Sequence, residues 1–267
     1  MMAEQPCPAC QDTGWVLEDS EGRALAKRCK CFQDKEGRLL LEKASIPKRY
    51  RNCSFNNFDI VFERESDSGQ GRKPNESLRN ALMISKKFVE NFPVQEVGLL
   101  FVGPPGVGKT HLAVAILRDL IQKKGAFCLF YDFRDLIRDI QNTFTPDSVI
   151  SESDVLEPVF ESKVLVLDEL GSKRSSAWVE EMVFYIINHR YNQKKLTIFT
   201  SNFLDSSDEE DTRQTMFKKI DFKKGDDSLV DRIGYRLRSR IYEMCKVVEM
   251  WGDDYRKFAR QASYRKF

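Results

Sequence analysis

One segment of the sequence matches a phosphate-binding motif at every position. Residues 103–110 read Gly-Pro-Pro-Gly-Val-Gly-Lys-Thr, with an apolar run at 98–102 before them and a helical apolar pattern after them. In this P-loop pattern, glycines let backbone N–H groups turn toward phosphates, and the helix N-terminus adds a positive dipole. We expect Lys109 to neutralise the β- and γ-phosphates and Thr110 to hold Mg²⁺. The alternative is a chance glycine-rich turn, which the matching flanks disfavour.

Two carboxylates follow a second apolar run. Residues 164–169 read Val-Leu-Val-Leu-Asp-Glu, typical of a Walker B strand. We expect Asp168 to bind Mg²⁺, directly or through water, and Glu169 to polarise the attacking water. The alternative is a solvated acidic strand end.

An amide side chain follows the next predicted strand. Asn202 follows the apolar run Leu196–Thr200 after one serine, Ser201. Ligands of parallel sheets bind at the carboxyl ends of the strands. We therefore expect Asn202 to orient the water or sense the γ-phosphate, although a plain turn asparagine is the alternative.

Four cysteines near the start have the spacing of a metal site. A Cys-x-x-Cys pair and a Cys-x-Cys pair are separated by 18 residues. Strands over Trp15–Glu18 and Arg23–Lys27 would bring the pairs together around one structural Zn²⁺, and free thiols are the alternative. The Cys-x-Cys pair is tighter than the usual spacing. The predicted ligands are Cys7, Cys10, Cys29 and Cys31, whereas Cys53, Cys128 and Cys245 are interpreted as core residues.

Strands and helices alternate from about residue 76 onward. Such alternation predicts an α/β fold with a parallel five-stranded sheet covered by helices on both faces. We expect a zinc-binding module with a basic linker helix at 1–45 and an ATPase domain at 46–267. We interpret residues 66–75 as a loop, and the insertion Phe203–Ser228 has no role that we can derive. The predicted strands are Gly98–Val102, Ala126–Tyr131, Lys163–Leu167, Leu196–Thr200 and Cys245–Met250, and the predicted helices are Leu78–Phe92, Thr110–Lys124, Phe133–Phe144, Val179–Tyr191 and Leu229–Arg240.

Composition limits the possible classes of protein. The chain has 267 residues and a formal net charge of +2, its apolar runs are too short to span a bilayer, and no signal peptide is visible. We therefore expect a cytoplasmic protein with no membrane partner. Positive charge is concentrated in two segments. Residues 27–51 hold nine basic and three acidic residues, and residues 230–267 hold ten basic and five acidic residues. Both segments suit single-stranded DNA, and a merely solvated basic surface is the alternative.

The motifs together resemble the AAA+ ATPase family. The sequence Gly-Lys-Thr-His-Leu-Ala at 108–113 resembles sequences of the branch that contains the DnaC/DnaI helicase loaders and the transposition ATPase IstB. Residues 46–50, with Phe55 and Phe58, resemble the segment that precedes the ATPase core in those loaders. The resemblance implies a P-loop NTPase fold of the AAA+ type with ATP and Mg²⁺ as cofactors. The predicted nucleotide-binding set is Gly103, Pro104, Pro105, Gly106, Val107, Gly108, Lys109, Thr110, His111 and Asp168.

The resemblance also implies a catalytic arginine from a neighbouring subunit. Residues 231–240 carry four arginines, and the family's Ser-Arg pair corresponds to Arg240, with Arg236 as a supporting candidate. A solvated basic face or a DNA contact is the alternative. The arginine role implies a homo-oligomer in the ATP state. Only 17 residues follow Met250, so we expect no helical lid.

The function that we expect from the resemblance is ATP-dependent helicase loading coupled to single-stranded DNA and the replicative helicase. The zinc module favours a DnaI-type loader. The alternative is an IstB-like ATPase that acts on a transposase. A nucleotide-gated scaffold with little hydrolysis and a small-molecule kinase are disfavoured, since Glu169 and Arg240 are intact and no segment marks a kinase substrate pocket.

Overall fold

The N-terminal region forms a hairpin followed by a helix. The computed structural model describes residues 6–20, 23–61, 75–172, 176–203 and 228–257. Strand β1 (Trp15–Ser20) pairs antiparallel with β2 (Arg23–Arg28), and helix α1 (Lys30–Lys43) follows directly. The predicted hairpin is therefore confirmed, and α1 lies within the basic segment 27–51.

The central element is a parallel sheet of five strands, as predicted. Its spatial order is β4-β5-β6-β3-β7, and every neighbouring pair is parallel. Strand β6 lies between the strands that lead into the P-loop and the Walker B acids. The strands are β3 (Gly98–Val102), β4 (Cys128–Asp132), β5 (Val164–Asp168), β6 (Leu196–Ser201) and β7 (Cys245–Glu249).

Helices cover both faces of the sheet. Alternate residues of β3 enter two separate cores, with Leu99 and Phe101 on one face and Leu100 and Val102 on the other. Helices α2 and α3 pack on the first face, and α4 to α8 contribute to the second. The helices are α2 (Glu76–Asn91), α3 (Lys109–Lys124), α4 (Phe133–Asn142), α5 (Glu152–Glu161), α6 (Ala177–Asn192), α7 (Leu229–Ile233) and α8 (Tyr235–Met244).

Two helix predictions differ from the structure. The single helix expected over Leu229–Arg240 is two helices, because Gly234 has φ +78° and ψ 157° and interrupts the helical hydrogen bonds. Helix α5 was not predicted, since it is short and contains Pro158. Residues 66–74 of the predicted loop lie outside the described part of the chain. Residues 204–227 of the insertion also lie outside it.

The linker after α1 joins the ATPase core. Leu40 and Leu41 pack against the core cluster on the α3 side of the sheet, and Ala44 and Ile46 are buried within it. Phe130 N, at the edge strand β4, donates to Ala44 O at 2.9 Å. The domain boundary at residue 45 stays a prediction. None of the helices in the described part of the chain combines the length and the apolar character that a membrane span requires.

Candidate functional site

The P-loop connects the end of β3 to the start of α3. Its glycines adopt backbone conformations and close approaches that a side chain would prevent. Gly103 has φ +149°, and a Cβ there would lie 1.9 Å from Met250 O. Gly108 has φ +98°, and a Cβ there would lie 2.6 Å from Phe58 Cε2. Both contacts show that neighbouring chain segments pack directly onto the loop.

Lys109 folds back over the P-loop. Its side chain is buried, and Nζ donates to Gly103 O at 2.7 Å and Pro104 O at 2.8 Å. Burial lowers the pKa of Lys109 to about 8. The amine is therefore held directly by neutral carbonyls alone, and a phosphate would supply a charged partner in direct contact.

The Walker B aspartate meets the P-loop threonine. Thr110 Oγ1 donates to Asp168 Oδ1 at 2.9 Å, and Thr200 Oγ1 donates to the same oxygen at 2.6 Å. Burial raises the pKa of Asp168 to about 6. A carboxylate and a hydroxyl are hard oxygen ligands, so this pair fits Mg²⁺. Sequence reasoning missed Thr200, whose hydroxyl also accepts from Glu169 N at 3.0 Å.

Glu169 is not free to act on a water in this structure. It has φ +57°, and its Oε2 accepts from Arg134 Nη2 at 2.5 Å. The two side chains are 40% and 55% exposed, so the ion pair lies at the cavity rim. Asn202 and Glu169 both line the cavity, as predicted for a site at the carboxyl ends of the strands. Arg134 lies at the start of α4 and carries no local sequence signal for this contact.

A cavity of about 450 Å³ extends from the P-loop. Several residues that line this cavity were not predicted from the sequence. Residues before the sheet and after the last strand complete the site, so it uses parts of the chain about two hundred residues apart. The predicted His111 lines the cavity, but its Nε2 is hydrogen-bonded to Ser54 O at 2.9 Å. The additional lining residues are Arg49, Tyr50, Cys53, Asn57, Phe58, Asp59, Leu78, Asp253, Tyr255 and Arg256.

The two predicted finger arginines lie outside this cavity. Arg240 stacks over Tyr191 at 4.1 Å from the ring centroid and pairs with Glu243 at 3.9 Å. Arg236 is 71% exposed and pairs with Glu181 at 3.2 Å. The fold thus does not bring either arginine to the nucleotide cavity of its own chain.

The four N-terminal cysteines form one cluster. All four Sγ atoms lie within 4.8 Å of one another, with Cys7 and Cys29 at 3.9 Å and Cys10 and Cys31 at 3.3 Å. A tetrahedral Zn²⁺ with Zn–S bonds of about 2.3 Å requires sulfurs about 3.8 Å apart. Backbone hydrogen bonds lower the pKa of Cys7 to about 7, whereas hydrogen bonds with the other thiols raise the pKa of Cys31. The cluster therefore fits a structural zinc ion, and the hairpin β1–β2 forms it as predicted.

Comparisons with known proteins agree with this geometry. The IstB-like ATP binding protein family model matches residues 84–263. The replicative helicase loader DnaC of Buchnera aphidicola subsp. Acyrthosiphon pisum (strain APS) is 31% identical over 163 residues, which is 61% of this chain and 61% of that protein. The chain thus matches less than two thirds of the length of this relative.

Solved structures give the same picture for the fold. The crystal structure of the DnaC helicase loader has a TM-score of 0.59 and 36% identity, covering 77% of this chain and 100% of that chain. The crystal structure of DnaI has a TM-score of 0.54 and 21% identity, covering 80% of this chain and 98% of that chain. The second likeness is one of fold alone.

Proposed function

Because the chain belongs to the IstB-like ATP binding protein family, we propose that it is an ATPase that loads a replicative helicase onto single-stranded DNA. Two of the similar proteins reported above, the Buchnera aphidicola DnaC and the DnaC of the solved structure, are helicase loaders by name. The observation that carries the ATPase part of the proposal is the cluster of buried Lys109 and Asp168 with half-buried Thr110 at the P-loop, because it combines a cation with hard oxygen ligands for a magnesium nucleotide.

Each residue of the cluster has a distinct part in the proposed hydrolysis. Lys109 exchanges its two carbonyl partners for phosphate oxygens, while Thr110 and Asp168 hold Mg²⁺. Glu169 accepts a proton from the attacking water, whose oxygen bonds to the γ-phosphorus as the bond to the β–γ bridging oxygen breaks. Asn202 orients that water. The products are ADP and phosphate, and a bound Mg²⁺ supplies neutralisation of the phosphate charge.

Completion of the site requires a second copy of the chain. Arg240 lies outside its own cavity, and an arginine is the side chain suited to the charge of a transferring phosphoryl group. We therefore propose that Arg240, supported by Arg236, enters the cavity of a neighbouring protomer. The contact is head-to-tail, so the active assembly is a homo-oligomer.

Mixed oligomers test this arrangement. Glu169→Gln and Arg240→Ala should each bind ATP but lose stimulated turnover when assayed alone. A 1:1 mixture should recover about a quarter of wild-type turnover if protomers assemble at random, because one interface in four then contains both native groups. Retained turnover in Arg240→Ala, or no recovery in the mixture, would contradict the arginine assignment.

Single-stranded DNA is the proposed nucleic acid partner. Lys35, Arg38 and Lys43 are exposed on α1 and suit phosphate contacts. Phe144 and Trp178 form an exposed edge-to-face pair with centroids 6.0 Å apart, and exposed aromatic rings can stack on bases. Binding of a fluorescent oligonucleotide should weaken in Lys35→Glu/Arg38→Glu with a shallower salt dependence. In Trp178→Ala it should weaken with the salt dependence unchanged.

The zinc hairpin is proposed to bind the helicase or the DNA. Glu169→Gln protein, which should retain ATP, is the form in which to capture the helicase from a native lysate. The second candidate is an IstB-like ATPase that activates a transposase, which the family match favours as a class. Capture of a replicative helicase supports loading, whereas capture of a transposase supports the second candidate.

A further inference from the structure

The segment that follows the last strand crosses the P-loop. Residues 250–256, here called the C-terminal strap, are joined to the loop by a backbone hydrogen bond near each end of the strap. Met250 N donates to Val102 O at 2.8 Å, directly before the loop. Tyr255 N donates to Gly106 O at 3.2 Å, in the middle of the loop. The strap thus follows the P-loop from its start to its middle.

The strap packs tightly against the P-loop and reaches the nucleotide cavity. A Cβ at Gly106 would lie 2.0 Å from Asp254 Oδ1, so no side chain fits between the loop and the strap at this point. Three other strap residues line the cavity, namely Asp253, Tyr255 and Arg256. The position of the strap therefore sets the shape of the cavity beside the P-loop.

The start of α2 clamps the strap between its two contacts with the P-loop. Trp251 N donates to Ser77 Oγ at 2.7 Å, and Ser77 Oγ donates to Trp251 O at 3.3 Å. Asn75 Nδ2 donates to the same carbonyl at 2.9 Å. Two side chains at the start of α2 thus bond both backbone groups of a residue that lies far along the chain.

Asn75 joins the strap to two other parts of the chain. Its Oδ1 accepts from Leu78 N at 3.1 Å and caps α2, and its backbone N donates to Ile60 O at 2.7 Å. Neither Asn75 nor Ser77 lines the nucleotide cavity. Both side chains therefore act on the cavity only through the strap.

We propose that Asn75 and Ser77 are positioning residues that clamp the C-terminal strap onto the P-loop, and that the clamped strap retains bound ATP. This inference rests on the proposed binding of ATP. Without the clamp, only the fraction of molecules with the strap in place binds ATP tightly, so the apparent affinity falls by that fraction. Bound ATP then holds the strap in place, so turnover at saturating ATP is unaffected.

Two variants remove the clamp by different means. Ser77→Ala removes both of its bonds to Trp251, whereas Asn75→Asp keeps an oxygen that caps α2 and removes only the donor to Trp251 O. Calorimetry of the full-length protein with Mg·ATP should show about tenfold weaker binding in Ser77→Ala and about threefold weaker binding in Asn75→Asp. Turnover at saturating ATP should stay within about twofold of wild type. Ser77→Thr, which keeps the hydroxyl, should retain wild-type affinity.

Fluorescence of Trp251 reports on the strap itself. The chain has three tryptophans, so a Trp15→Phe/Trp178→Phe background leaves Trp251 as the only one. Adding Ser77→Ala to this background should raise acrylamide quenching of Trp251 in the absence of nucleotide. Saturating Mg·ATP should return the quenching to the value of the background protein, because the bound nucleotide holds the strap in place.

A matched control lies on the same helix. Ser85 is buried and donates to Ala81 O at 2.7 Å, so Ser85→Ala should change neither ATP affinity nor the quenching of Trp251. A wild-type protein that binds no Mg·ATP would refute the proposed function. The clamp inference fails separately if Ser77→Ala raises quenching without weakening ATP binding, if it weakens ATP binding without raising quenching, or if Ser85→Ala weakens ATP binding equally.

Discussion

Replacing Arg134 with alanine should raise basal ATP turnover. In the structure, the Arg134 guanidinium holds the carboxylate of Glu169, which we propose accepts the proton of the attacking water. The carboxylate must leave this ion pair before it can act on water. Arg134 is thus an inhibitory partner of the proposed catalytic base.

The size of the effect follows from the exposure of the pair. Arg134 and Glu169 are 55% and 40% exposed, so solvent screens their attraction. Exposed ion pairs contribute about 0.2–1 kcal/mol, which corresponds to about a 1.5- to fivefold increase in turnover once the pair is removed. ATP affinity should stay unchanged, because Arg134 does not line the nucleotide cavity.

A steady-state phosphate-release assay at saturating ATP, without DNA or helicase, measures the effect. Arg138→Ala is the matched control, because Arg138 lies one turn later on α4 and pairs with Asp135 at 3.0 Å instead. Arg134→Ala should have no effect in a Glu169→Gln background. Turnover that falls or stays the same in Arg134→Ala, with ATP affinity intact, would refute the inhibitory role.

Three further predictions concern charge, metal and stability. ATP affinity should fall as the pH rises through about 8, because burial lowers the pKa of Lys109 to about 8 and only the protonated amine attracts phosphate. Calorimetry in two buffers of different ionisation enthalpy should then show proton uptake on ATP binding near pH 8. Absence of this uptake would contradict the role of Lys109. The protein should bind one Zn²⁺ through the cysteine cluster, and Cys10→Ser should reduce zinc content by metal analysis while leaving ATP affinity within about twofold, since the cluster is structural. Arg190→Met should lower the free energy of unfolding by about 3 kcal/mol or more, because the fully buried guanidinium donates to Val159 O, Ser162 O and Leu196 O, which would lose their partner; a change below about 1 kcal/mol by denaturant unfolding would show that water replaces it.

The local features of the site could be predicted from the sequence. The P-loop depends on glycines at 103, 106 and 108, whose conformations are set within a few residues. The Walker B acids follow an apolar run whose burial and strand conformation are evident from composition alone. Cysteine spacing with an intervening hairpin predicted the cluster for the same reason, since two short strands fix how the pairs meet.

The helix break at Gly234 and the short helix α5 were missed because their signals are weak. A glycine within a helical pattern is often tolerated, and only the observed φ of +78° shows that the chain turns there. Helix α5 has ten residues and an internal proline, so its apolar spacing was too short and too interrupted to predict a helix.

The sequence by itself determined the phosphate cradle, the acidic strand end, the cysteine cluster and the alternation that produces a parallel sheet. Each depends on residues close together in the chain, so residue type and spacing are sufficient. Only the tertiary structure decided that Arg134 holds Glu169, that Thr200 supports Asp168, and that residues 49–59 close the nucleotide cavity. These contacts join segments brought together by strand order and helix packing, and no local pattern records which distant side chains will meet.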